Sequence, residues 1–111
     1  MDWRYRVTGT VRDAGTGRGL PGLRVRGFDH DLLTRDDPLG DALTDAEGRF
    51  AIEYTDAAFR SVLDERPDLY LRVFDASGER ELYSTRRALR RSAGDDEHFE
   101  IEIPRQRLES P

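Results

Sequence analysis

Six carboxylates crowd one short stretch of this chain: Asp29, Asp31, Asp36, Asp37, Asp41 and Asp45. Like charges held together repel unless a cation or an arginine stands among them. A calcium ion takes six to eight oxygen ligands from carboxylates and loop carbonyls. Asp29, Asp31, Asp37 and Asp41 are therefore the candidate ligands of a calcium-binding loop. The spacing is not that of an EF-hand loop, because the terminal Glu is missing. The preferred reading needs no ion: Asp45 starts a turn, Asp36 and Asp37 shape a loop, and Asp29 and Asp31 pair with neighbouring arginines. A calorimetric titration with calcium separates the two.

A second group mixes aromatic rings and cations. Tyr70, Arg72 and Phe74 share the polar side of one alternating segment. Aromatic residues beside Arg are enriched where proteins bind one another, so these three are the candidate partner-binding residues. Rings covered by the chain itself would instead belong to the core. Arg86, Arg87, Arg90 and Arg91 form a basic run. Such a run attracts an acidic partner or phosphate, unless Asp95, Asp96 and Glu97 balance it.

Catalytic patterns are harder to find. The two histidines, His30 and His98, would need to meet beside a carboxylate to bind a metal or act as a base, and nothing in the sequence joins them. No nucleophile-elbow pattern occurs. With no cysteine, thiolate metal sites and thiol nucleophiles are excluded. The expectation is a protein that is not an enzyme and has no resident cofactor, calcium aside.

The elements that must position these residues follow from period-2 alternation. Trp3, Tyr5, Val7, Gly9 and Val11 alternate with Arg4, Arg6, Thr8, Thr10 and Arg12. Six further segments follow: around Leu23–Arg26, Leu39–Thr44, Arg49–Tyr54, Leu69–Phe74, Glu81–Thr85 and His98–Ile103. Asp45-Ala46-Glu47-Gly48 reads as a tight hairpin turn in which Gly48 supplies a positive φ. One helix is expected over Asp56–Glu65, with Ala58, Phe59, Val62 and Leu63 on its apolar face and Pro67 behind it. Residues 86–96 read as a loop and 105–111 as a polar tail. Seven short strands with one helix predict an all-β sandwich of antiparallel type, a single domain over residues 1–104.

Composition sets the bounds. The chain has 111 residues, 37% charged and 36% hydrophobic, with a mean hydropathy of −0.78. That length suffices for one domain with its own core. All 18 basic residues are Arg, and the net charge is −5, so bulk charge gives no reason to expect nucleic acid or an anionic membrane. No apolar run approaches a membrane span, and MDWRYRVTGT lacks the apolar core of a secretion signal. A cytoplasmic protein is the default expectation, and a non-classical export route stays open.

Three motifs in order carry a resemblance. Val7-Thr8-Gly9-Thr10-Val11, then Thr16 through Val25 with its Leu20-Pro21-Gly22-Leu23 core, then Thr44-Asp45-Ala46-Glu47-Gly48-Arg49-Phe50 are similar to the transthyretin-like and carboxypeptidase-regulatory-like sandwich modules. The stretches from Asp29 to Gly40 and from Pro67 to Asp75 resemble the bacterial and nematode transthyretin-like branch. The resemblance spans roughly residues 5–103. It implies a seven-stranded prealbumin-like sandwich with an Ig-like layout and a helix crossing between the middle strands. It further implies a non-catalytic binding or adaptor module that meets a protein or carbohydrate partner through loops at its ends. The 5-hydroxyisourate hydrolases share the fold, but their C-terminal Tyr-Arg-Gly-Ser motif is replaced here by Leu108-Glu109-Ser110-Pro111, so that activity is not expected. The paired histidines and tyrosines of intradiol dioxygenases are not found either. Free sheet edges allow a homodimer by sheet extension.

Overall fold

The computed structural model describes residues 4–31, 35–58 and 66–109. Seven strands emerge where the alternation places them: β1 Arg4–Asp13, β2 Arg24–Asp29, β3 Asp37–Leu43, β4 Arg49–Thr55, β5 Leu69–Phe74, β6 Glu81–Ser84 and β7 Asp96–Ile103. They form two sheets, one ordered β4-β1-β7 and the other β3-β2-β5-β6. Every pairing is antiparallel except β1 with β7, which run parallel. Period-2 burial makes each sheet greasy on one side, and the two greasy sides close on each other.

The core is drawn from the alternating positions. Val7, Val25, Ile52, Leu71 and Ile101 are all buried, as are Tyr5, Val11, Phe50, Leu69, Val73, Phe99 and Ile103. Gly9 belongs to the inward set of β1 but carries no side chain, for a steric reason. A Cβ there would stand 2.3 Å from the Phe99 carbonyl oxygen and 2.7 Å from the Phe50 ring. The glycine lets a ring from each flanking strand fill the layer.

The Asp45–Gly48 turn has the expected chemistry and an unexpected role. The Gly48 N–H donates to the Asp45 carbonyl at 2.9 Å, and Asp45 Oδ1 accepts the N–H groups of Glu47 and Arg49 at 2.9 and 2.8 Å. Gly48 sits at φ +81°. Yet the strands it joins, β3 and β4, lie in opposite sheets, so the turn is an arch and not a hairpin. The reason is competition for partners. The Gly48 carbonyl accepts from Val11 N–H at 2.8 Å, and β4 continues along β1 from Arg49↔Thr10 to Thr55↔Arg4.

Two expected irregular regions carry structure. A 3₁₀ turn occupies Arg86–Ala88, and residues 105–109 of the expected polar tail form a short helix, α1 (Arg105–Glu109). Leu108 packs against the core and Arg107 Nε donates to the Leu82 carbonyl at 3.1 Å, which holds α1 against β6. One apolar residue in a polar stretch gives no periodic signal, so the sequence alone could not reveal this docking. Of the helix expected over Asp56–Glu65, a 3₁₀ turn at Asp56–Ala58 is seen. Phe59, Val62 and Leu63 lie outside the described residues, as does Trp3. Among the described residues no helix is long and apolar enough to cross a membrane.

Candidate functional site

The candidate partner-binding residues Tyr70, Arg72 and Phe74 lie on the outer side of the four-stranded sheet. Antiparallel register sets Arg24 opposite Phe74, Arg26 opposite Arg72 and Phe28 opposite Tyr70. Residues directly opposite each other, and their diagonal neighbours, are within reach of long side chains. The result is a ladder of rings and guanidinium groups. Phe28 and Tyr70 stack with centroids 5.3 Å apart. The Arg26 guanidinium lies 4.7 Å from the centre of the Phe74 ring, and that of Arg72 lies 4.9 Å from Phe74 and 5.7 Å from Phe28. Arg86 adds a fourth cation 5.8 Å from Tyr70.

This arrangement changes the meaning of the candidate partner-binding set. Tyr70, Arg72 and Phe74 do share a face, but the two rings are not exposed: Tyr70 is 4% and Phe74 5% accessible. The guanidinium groups stand over the aromatic faces, which covers the rings and leaves the cations outermost. What the face offers a partner is therefore arginine with an aromatic backing. Among the described residues the exposed large hydrophobic side chain is Leu43, and its register with Arg24 puts it on the same side.

Carboxylates hold the ladder in place. Glu81 accepts two bonds from Arg72, at 2.9 Å to Nε and 3.2 Å to Nη2. That forked bond keeps Arg72 charged and fixes its plane. Arg24 pairs with Asp41 at 2.9 Å. Arg26, by contrast, donates to the Gly78 carbonyl at 3.4 Å, so its charge is not neutralised there.

At the end of the ladder Asp36 is a hub. Its Oδ2 accepts the Tyr70 hydroxyl, its Oδ1 accepts the Asp31 N–H at 3.0 Å and lies 3.2 Å from His30 Nδ1, and Arg86 stands 4.0 Å away. Burial works to raise the Asp36 pKa, but the bonds from Tyr70, Asp31 and His30 outweigh it and hold it below the usual carboxylate range. The same environment pushes Tyr70 up to about 12, first by burial and then by its bond to Asp36. The hub pins the start and the end of the loop between β2 and β3 to β5.

The expected calcium ligands are distributed differently. Asp41 faces Arg24 on the outer ladder. Asp29 Oδ1 accepts the Asp68 N–H at 2.8 Å, the Asp31 backbone bonds to Asp36, and Asp37 pairs in register with Asp29. Among the described residues no three His, Asp or Glu side chains are arranged to hold a metal ion. The alternative reading, in which Asp29, Asp31, Asp37 and Asp41 converge, is not what the described residues show, because the register shift at Gly27/Phe28 turns Asp41 to the outer face while Asp37 stays level with Asp29. Asp29 carries the electrostatic consequence. Burial, and then the charges of Asp68, Asp37 and Asp31, raise its pKa to about 6 against the bond from Asp68 N–H. The two histidines lie apart: His30 joins Asp36 beside the four-stranded sheet, while His98, on β7 of the three-stranded sheet, contacts Thr8 Oγ1 at 3.0 Å and Glu100.

Phe28 was not among the residues expected in the site. Continuing the outward series Arg24, Arg26 by two would have reached it. The Asp36–Tyr70 bond had no such signal, since it joins residues 34 apart.

No protein-family model matches the chain, and a search of curated proteins finds no match. Solved structures do match. Over 89% of its length the chain is similar to part of a 9R-lipoxygenase from Cyanothece PCC8801, with a TM-score of 0.61 and 26% identity. It spans only 16% of that chain. It is also similar to the dioxygenase domain of a dioxygenase carbohydrate-binding protein fusion from Streptomyces sp. SirexAA-E, with a TM-score of 0.53, 17% identity and coverage of 94% of this chain and 81% of that one. A third likeness is to an (S)-allantoin synthase, at a TM-score of 0.51, 14% identity and coverage of 93% and 40%. The latter two likenesses concern the fold alone. The architecture is thus that of a small β-domain that occurs within enzymes.

Proposed function

We propose that this chain is a non-catalytic accessory module of the transthyretin-like type, which docks a protein partner through the arginine face of its four-stranded sheet. The observation that carries this reading is the preformed ladder of Arg26, Arg72 and Arg86 over Phe74, Phe28 and Tyr70. Cations already held over rings lose little freedom on binding, which favours affinity. Arg with aromatic backing is also the composition of interface hot spots. A protein partner is preferred to a carbohydrate because a sugar stacks on an open ring, and Tyr70 and Phe74 are covered. The likeness of almost the whole chain to a small fraction of a lipoxygenase supports the accessory reading, since there too this fold is one part of a larger assembly.

The test uses the immobilised full chain and extract of the source organism, with retained proteins identified and then titrated as purified species. Arg26→Glu is the informative variant, because Arg26 bonds only a carbonyl on this face and its loss leaves the Glu81 fork intact. A partner retained by the wild type should bind the variant at least about tenfold more weakly, the scale of a hot-spot residue. Equal retention by both chains would remove the face from the account. Turnover of 5-hydroxyisourate by the purified chain would overturn the non-catalytic assignment.

A further inference from the structure

Away from that face, the sandwich is open between β6 and β7, the outer strands of the two sheets. The opening is a groove of about 680 Å³ whose lining includes Tyr83, Phe99, Arg87, Arg90 and Arg107. The 3₁₀ turn at Arg86–Ala88 bounds it, as does the segment from Pro104 to Arg107 in α1. A chain of net charge −5 thus brings three guanidinium groups to one concavity.

Two of these charges, those of Arg87 and Arg107, are not paired with a carboxylate among the described residues, whereas Arg90 is paired with Glu97. Arg90 gives one bond to Glu97 at 2.9 Å while its guanidinium lies 3.6 Å from the centre of the Phe99 ring. Arg107 donates to the Leu82 carbonyl, a neutral group. Among the described residues no carboxylate pairs with Arg87 or Arg107. The acidic residue on the rim, Glu100, is occupied by Arg12 and then His98, whose hydrogen bonds also hold its pKa below the ordinary value. The basic run of the sequence is therefore split by the fold. Arg86 turns to Asp36 and Arg91 to Asp68 at 3.9 Å, while Arg87 and Arg90 line the groove.

We infer that this groove binds an organic carboxylate, its apolar body against Tyr83, Ala88 and Pro104 and its carboxylate met by Arg87 and Arg107. The groove sets an apolar strip of Tyr83, Ala88 and Pro104 beside charged groups, and its several hundred cubic ångströms are the size of a small-molecule site. Guanidinium forks match the two oxygens of a carboxylate in one plane. A bare inorganic anion would leave that apolar strip uncovered, and a neutral ring would leave Arg87 and Arg107 unanswered.

The test titrates the isotope-labelled full chain with 2-naphthoate and follows the backbone amides of Tyr83, Ala88 and Phe99 by NMR. Acetate, inorganic phosphate and 2-naphthalenemethanol serve as controls. 2-Naphthoate should move these amides saturably with a Kd of about 1 mM or below, the scale for a ligand of this size. Arg87→Gln and Arg107→Gln should each weaken it about tenfold, the worth of a charge-assisted bond. Arg107 also steadies α1, whereas Arg87 does not, so Arg87→Gln decides the matter if the other variant alters the fold. Four results would overturn the inference: no movement up to about 10 mM ligand, equal movement by acetate or phosphate, equal affinity for the neutral alcohol, or undiminished affinity in Arg87→Gln.

Discussion

The two outward faces of this sandwich are written in the same period and behave differently. On the four-stranded sheet the outward residues include Phe28, Tyr70 and Phe74, and arginines lie over them. On the three-stranded sheet the outward residues include Arg6, Thr8, Arg12, Glu53, His98 and Glu100, and among the described residues of that face the imidazole is the one ring. There the ion pairs stand in water: Arg6 with Glu53 has side chains 56% and 75% accessible, and His98 is 59% accessible. Rings beneath arginines create a partly desolvated layer in which charge and hydrogen bonds count for more. Bare strand faces carry cross-strand pairs that water screens. One face is therefore a second, thinner core with cationic covering, and the other is a solvated surface.

Substitutions can break that contrast. Phe74→Ala removes a buried ring from the ladder and should cost about 3–5 kcal/mol by chemical denaturation, like a core truncation. A loss under about 1 kcal/mol would mean the ladder is surface and not core. Tyr70→Phe keeps the ring and deletes the donor to Asp36, so it should cost about 1–3 kcal/mol. The loss should fade in acid as Asp36 is protonated, because its folded pKa is lowered and its bonds stabilise the fold at higher pH. A pH-independent loss would place the effect in packing alone.

Asp29 sharpens the comparison through its sign. Its folded pKa of about 6 lies above the ordinary 3.8, so the folded chain binds the proton more tightly than the unfolded one. Protonation then favours folding, and the contribution is full below about pH 4 and lost as pH rises through about 6. Asp29→Asn keeps an acceptor for Asp68 N–H and should gain about 1–2 kcal/mol at pH 7.5, after discounting for partial solvent access, and little at pH 4. Urea melts at both pH values measure this, and a loss at pH 7.5 would reverse the assignment. The smallest effect belongs to the other face: Arg12→Ala, which breaks the pair with Glu100, should change stability by less than about 1 kcal/mol. A larger loss would show that this face, too, is structural.

Much of the architecture was legible because burial in strands repeats every second residue. Val7, Val25, Ile52, Leu71 and Ile101 are readable as core for that reason, and Asp45 with Gly48 as a turn because short polar side chains and a positive φ have few substitutes. The site was legible only in pieces. Tyr70, Arg72 and Phe74 stood out as a group, and so did the acidic loop and the basic run. Their assembly was hidden, since Asp36 meets Tyr70 and Arg86 across the sheet, and the register shift between β2 and β3 carries Asp41 away from Asp29. The arch at Asp45–Gly48 shows the same limit, because turn chemistry is local while the choice of sheet is not.

Local stereochemistry and the two-residue rhythm of apolar side chains, both properties of the chain itself, determined that seven strands would bury one side each. Which strands became neighbours, whether the rings of β5 met solvent or guanidinium groups, and which arginines of the basic run came to line a groove were decided only when the sheets closed. Those outcomes depend on distances between residues remote in sequence, and on how far water is excluded between them.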